Sequence, residues 1–279
     1  MAGGRGAARS RTKRLGATPW GAGRAGVPHA LAVNETVIAL IRPKPDPARV
    51  VGEPPEAVAA AQAAVDAPDG IGTIGSYATE VPLAATGTWS TAGRGGAQAD
   101  LVLSAPEVGI PLLFVEVDNC FEDAARIAAK FDKYLRFYQR TVKDTDGHPR
   151  PMWRTRWPTP DPRYGDTPHP PVLLVFHQMG PRPAAGQIKE VAELTCSRWQ
   201  GTWHREDGCH IYDGQIPIVA TMLDLLREHG PVGPAFWRFG RDHRQHLADA
   251  IGNPRRREGP PGGLPGRAVA PGRAEGRRT

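Results

Sequence analysis

The chain has 279 residues, 40% of them hydrophobic, with three cysteines and a formal charge of +6. That is apolar content enough for one sizeable domain, while an odd cysteine count without a CxxC pair argues against a disulfide scaffold and for a reducing compartment. No apolar run approaches the ~20 residues of a membrane span, and the basic N-terminus lacks the apolar stretch of a secretion signal, so a cytoplasmic protein with no membrane partner is expected.

The charge is unevenly placed. Residues 1–24 hold six Lys/Arg and no acid, and residues 252–279 hold seven Arg against two Glu. Removing these +6 and +5 blocks from the total leaves residues 25–251 at −5. Both ends are rich in Gly, Pro and Ala and have little to bury, so residues 1–27 and 252–279 are expected to be disordered basic tails around a domain at 28–251. Basic arms of this kind attract nucleic acid without sequence preference. A GC-rich genome would write the same residues with no functional message.

In chain order, Pro28 opens a predicted helix over 29–41 with an apolar stripe through Val33, Val37, Leu40 and Ile41, ended by Pro43 and Pro45. An alanine-rich helix follows at 55–66. Strands are predicted at 79–83, 98–104 and 112–118, the last a nearly continuous apolar run typical of a buried strand. A long helix is predicted over 121–142, with Ile127, Phe131, Tyr134, Leu135 and Tyr138 inward and with Glu122/Arg126 and Asp132/Arg136 as i,i+4 pairs. Residues 144–171 read as a long loop rich in Pro, Arg and Trp. A strand at 172–177, a helix at 187–199, a strand at 216–219 and a helix capped by Thr221 complete the series. Three consecutive strands followed by helix–strand units predict an α/β fold, a mixed sheet with helices on its faces.

The chemistry-bearing residues gather on the best strand. Glu116 and Asp118 are two apart, so both carboxylates face one side of the sheet at its C-terminal end. If the preceding strand pairs with it as a hairpin, Asp100 lies across from them. Three carboxylates with room for water suit Mg²⁺ or Mn²⁺, and such an ion can generate hydroxide at a phosphodiester. Lys130 is nine residues into the next helix, about 13 Å along its axis, placed to reach back to the carboxylates if that helix runs antiparallel to the strand. Arg126 and Tyr134 flank it by one turn. A bare Glu-x-Asp at a strand end is also what an exposed edge or a salt-bridge acceptor looks like, and Lys130 alone is what a solvated helix lysine looks like.

The run Ala99-Asp100-Leu101-Val102-Leu103, then Phe114-Val115-Glu116-Val117-Asp118, then Lys130-Phe131-Asp132-Lys133-Tyr134 resembles the replication-relaxation family of bacterial plasmid and mobile-element proteins. The 29–34 helix start and the Val172-Leu173-Leu174-Val175-Phe176 strand resemble it too, so the likeness spans about residues 28–180. It implies a role in plasmid replication or DNA relaxation, and a core similar to restriction-endonuclease-like folds. Those folds use Asp…Glu-x-Lys in catalysis, and here the position two after Glu116 is Asp118, so Lys130 would have to substitute. Family members carry a winged-helix domain before the first helix, for which 28 residues are too few; the resemblance therefore implies a start further upstream or a basic arm in that domain's place.

Other signals are weaker. Arg150, Arg154, Arg156 and Arg163 interleave with Trp153, Trp157 and Tyr164, either as a nucleic-acid surface or as a linker whose tryptophans fold back on the body. His204, Cys209, His210 and Cys196 match no common zinc spacing. His177 reads as a satisfied histidine, and residues 236–239 as an aromatic anchor. The reading is thus a DNA-associated protein with Asp100, Glu116 and Asp118 as Mg²⁺ ligands, Lys130 as transition-state cation, and Arg126, Arg150, Arg154 and Arg156 on DNA. Its rivals are a non-catalytic DNA-binding or regulatory protein and a protein–protein adaptor.

Overall fold

A computed structural model describes residues 22–159, 167–206 and 208–252. Helix α1 (Ala22–Ile41) leads through a short turn to α2 (Pro55–Asp66), and the antiparallel strands β1 (Ser76–Leu83), β2 (Ala97–Ala105) and β3 (Ile110–Asp118) follow. Helix α3 (Ala124–Gln139) then crosses to a small hairpin, β4 (Thr141–Lys143) and β5 (Pro149–Pro151). Strand β6 (Val172–Phe176), helices α4 (Ala184–Leu194) and α5 (Cys196–Trp199), a second hairpin of β7 (Thr202–His204) and β8 (Cys209–Ile211), and strand β9 (Ile218–Met222) come next. The chain closes with α6 (Leu223–His229), β10 (Phe236–Arg238), β11 (Arg244–Gln245) and α7 (Leu247–Ile251).

The main sheet has seven strands in the order β1-β2-β3-β6-β9-β10-β11. Its centre, β3-β6-β9, is parallel and its flanks are antiparallel. Parallel neighbours require crossovers, which α3 and α4 supply on one face. That face packs Phe114, Leu174 and Ala220 against Ile127, Phe131, Tyr134, Tyr138 and Val191. The alternate residues Leu113, Val115, Leu173 and Val219 turn to the other face, against Leu40, Leu223, Phe236 and Leu247. The period of two thus divides two cores between one set of strands, and the expected mixed α/β sheet covered on both faces is what forms.

Several local expectations are corrected. Helix α1 starts at Ala22, with Pro28 inside it rather than at its first position; the tolerant Ala and Gly residues before Pro28 carry no periodic signal. Helix α3 is shorter than 121–142: Asp123 caps it by accepting from Arg126 N at 2.8 Å, and residue 141 already belongs to the hairpin. The 144–171 segment is not one loop, because it contains β5 and a 3-10 turn at 152–155. Thr221 does not cap α6; it lies in β9, fully buried, and donates to Ala235 O at 2.9 Å. No helix among the described residues is long and apolar enough to cross a membrane.

Candidate functional site

The register Leu101–Val115 between β2 and β3 carries Asp100 opposite Glu116, at the end of the sheet where β3 finishes. Asp100 does not continue the backbone ladder. Its carboxylate replaces a strand partner, one oxygen accepting from Val117 N at 2.7 Å and the other meeting His29 Nε2 at 2.9 Å. His29 comes from the second turn of α1, so this contact ties the helix over one face to the sheet. The contact raises the pKa of His29 despite the opposing effect of its partial burial.

Glu116 points to the α3 face and is 3% exposed. Tyr134 donates its hydroxyl to Oε1 at 2.7 Å, and Lys130 donates Nζ to Oε2 at 3.2 Å. Positions 130 and 134 are one helical turn apart, so α3 presents both donors to one carboxylate. Lys130 also lies 3.7 Å from Glu122 Oε2, in the turn before α3. Burial pushes the Glu116 carboxyl up to about 7, against the stabilising pull of Lys130 and Tyr134. Burial works to lower the pKa of Lys130, but Glu116, Glu122 and Asp100 outweigh it and keep the ammonium charged.

Asp118, two residues on, is also buried and raised by burial. Its Oδ2 accepts from Cys120 N at 3.0 Å and so shapes the turn after β3, where Cys120 sits at φ 62°. A non-glycine residue in that region is uncommon, and the aspartate bond helps to hold it there.

The structure therefore brings together Asp100, Glu116 and Lys130, and adds His29, Tyr134 and Glu122. The donor set does not fit a divalent ion as arranged. Both oxygens of Asp100 and both of Glu116 already accept from protein donors, and Lys130 occupies the space beside Glu116 that a cation would need. Among the described residues, no group of three or more His, Cys, Asp or Glu side chains is disposed to hold a metal. As arranged, Asp100 and Glu116 of the expected Asp100–Glu116–Asp118 set are spent on a polar network of protein donors.

The expected DNA-contacting arginines are spread apart. Arg126 is exposed on the first turn of α3. Arg150 pairs with Asp144 at 3.4 Å across the β4–β5 hairpin. Arg154 lies over Trp153, and Arg156 over both Trp89 and Trp157. The tryptophans fold inward: Trp153 is buried, and Trp157 sits edge-on to Phe114 at 5.4 Å. Trp153 and the half-buried Trp157 thus fold back on the body of the domain. Arg163 and Tyr164 lie outside the described residues. The β7–β8 hairpin sets His204 opposite Cys209 and Trp203 opposite His210, while Cys196 is exposed on α5. His177 is not satisfied, since its Nδ1 has no partner among the described residues.

Fold and site together define a mixed α/β protein with a closed carboxylate–lysine–tyrosine–histidine network at one end of its sheet. The chain belongs to the replication-relaxation family, whose model matches residues 2–149. The match takes in α1 through α3, hence every member of the network, and stops before β6. It connects the chain with replication of plasmids and mobile elements. No curated protein and no solved structure matches it.

Proposed function

We propose that this protein associates with DNA during plasmid or mobile-element replication without cutting it. The observation that carries the reading is the occupancy of the carboxylates: Asp100 is held by His29 and Val117 N, and Glu116 by Tyr134 and Lys130. Such a network does structural work. It clamps α1 through His29 and α3 through Lys130 and Tyr134 onto the same strand end, fixing the two helical layers relative to the sheet.

A second reading, a metal-dependent nickase, draws support from the meeting of Asp100, Glu116 and Lys130 from three separate elements. It requires the donors now on Glu116 to leave it. One experiment separates the two. The full chain is incubated with supercoiled plasmid and with linear duplex, with and without Mn²⁺, alongside Glu116→Gln. Retention of both DNA forms that weakens with salt, with the supercoiled form equally intact for both proteins, is the expected result. Mn²⁺-dependent nicking that Glu116→Gln loses would establish the nickase instead. Failure to retain any DNA would reject DNA association.

A further inference from the structure

The i,i+4 pairs expected along α3 do not form. Asp132 bonds Arg198 at 2.7 Å instead of Arg136, and Glu122 goes to Lys130 instead of Arg126. Both acids turn away from one side of the helix and leave its cations without them. At about 100° per residue, Arg126, Lys133, Arg136 and Arg140 fall within a sector of about 80° and are spread over roughly 21 Å of axis. None of the four has a carboxylate in ion-pair reach among the described residues.

The ridge ends against the loop between β1 and β2, residues 84–96. Arg136 donates to Gly95 O at 3.1 Å, and Arg140 donates to Ala84 O at 3.0 Å and Gly87 O at 2.8 Å. These bonds brace the loop but leave the positive charges uncompensated. The loop itself has no acid, and the sequence has none between Glu80 and Asp100. It does have Thr86, Thr88, Ser90 and Thr91 hydroxyls and the exposed Arg94, whose side chain has no ion pair among the described residues. Its shape is fixed by the mutual approach of Gly87 and Gly93: a Cβ on Gly87 would lie 2.1 Å from Thr91 O, and Gly93 holds φ +68°.

We infer that the solvent face of α3 and the β1–β2 loop form a seat for the phosphate backbone of duplex DNA. This rests on the reading that the chain associates with DNA, and it says where. Guanidinium and ammonium groups without acid partners, backed by hydroxyls, are the chemistry that meets phosphate oxygens. Twenty-one ångströms of ridge matches about six base pairs of axial rise. The net charge of −5 on residues 25–251 does not oppose this, because Glu122 and Asp132 are taken by Lys130 and Arg198 and Asp123 caps the helix backbone.

The test uses the full chain carrying Arg94→Gln together with Lys133→Gln, two side chains that bond nothing else among the described residues, so folding is not at stake. The control is Lys189→Gln with Arg205→Gln, an equal charge change elsewhere on the surface. Binding to a labelled duplex is followed by fluorescence anisotropy from 50 to 200 mM salt. The ridge variant is expected to lose on the order of tenfold in affinity and to flatten the slope of log K against log salt by about two, with the control near wild type. A ridge variant with wild-type affinity and slope, or one matched by the control, overturns the assignment while leaving DNA association standing. A wild-type protein that prefers the single strand to the duplex also overturns it. Absence of wild-type binding would take both readings down together.

Discussion

Glu116→Gln isolates the electrostatic cost of the buried carboxylate. In the folded protein burial holds Glu116 at about 7 instead of 4.5. The folded state therefore keeps a proton that the unfolded chain has released between those values. Stability falls as pH rises through that window, and the penalty is complete above about 7. At about 1.4 kcal/mol per unit, the shift amounts to roughly 3 kcal/mol. Glutamine is neutral throughout, and its side-chain carbonyl can still accept from Tyr134. Lys130 retains Glu122 at 3.7 Å. The variant should thus gain up to about 3 kcal/mol over wild type at pH 8, a figure that already includes the pull of Lys130, keep under about 1 kcal/mol of that gain at pH 5, and draw level only below about pH 4.5. The raised pKa of His29 makes its own contribution also fade with rising pH in both proteins, and because Glu116 is the last of its causes it alters the difference little. Urea denaturation at pH 5, 6.5 and 8 gives the comparison, with unchanged m-values as the check on two-state behaviour. A variant less stable than wild type at pH 8, or a difference that does not vary with pH, would refute the argument.

Two further outcomes follow from the packing. Phe114→Ala removes a fully buried ring that meets Tyr134, Phe137, Tyr138 and Trp157, and should cost about 3–5 kcal/mol by thermal or chemical denaturation. Gly180→Ala would set a Cβ 2.2 Å from Cys120 O in the turns that follow β3 and β6; a loss of about 2 kcal/mol or more is expected, against no measurable effect for alanine at the open position Gly109→Ala beyond that of its positive φ.

Strands β1, β2, β3, β6 and β9 are readable from an apolar run or alternation, β3 most of all, whereas the short β10 and β11 are not, residues 236–239 reading as an aromatic anchor. Helices α4 and α6 are legible from their apolar faces, and α2, which buries no residue, from its alanine content between flanking prolines. The hairpins β4–β5 and β7–β8 were not: three-residue strands have no period, and β5 is Pro149-Arg150-Pro151, a composition that reads as loop and is tolerated only where a strand lacks a second neighbour. In the site, Lys130 reaching Glu116 followed from helical pitch alone. His29 did not, since its partner Asp100 is 71 residues away and the contact depends on how α1 crosses the sheet. Nor could spacing reveal that the carboxylates would be taken by neighbouring donors, because the same three residues in the same order serve an open site or a closed one. The acid partners on α3 were misassigned for a related reason: local i,i+4 geometry permits a pair, but Arg198 on α5 competes from outside the helix and wins.

The strand order carries a consequence for any attempt to divide the chain. Residues 2–149, the stretch that carries the family likeness, include β3 but not its neighbour β6. A fragment stopping there would present five consecutive positions of β3, from Phe114 to Asp118, as an unpaired margin of nearly dry backbone with nothing to blunt it. The opposite margin of the sheet is built differently: β1 has a kink at Glu80, at φ 52°, and Pro82 just beyond, both of which spoil it as a template for another strand. The native protein thus shields its stickiest strand by placing it at the centre, and the shield is made of sequence that lies beyond the family signature. Shortened versions cut to that signature would be expected to self-associate before they could be assayed for anything else.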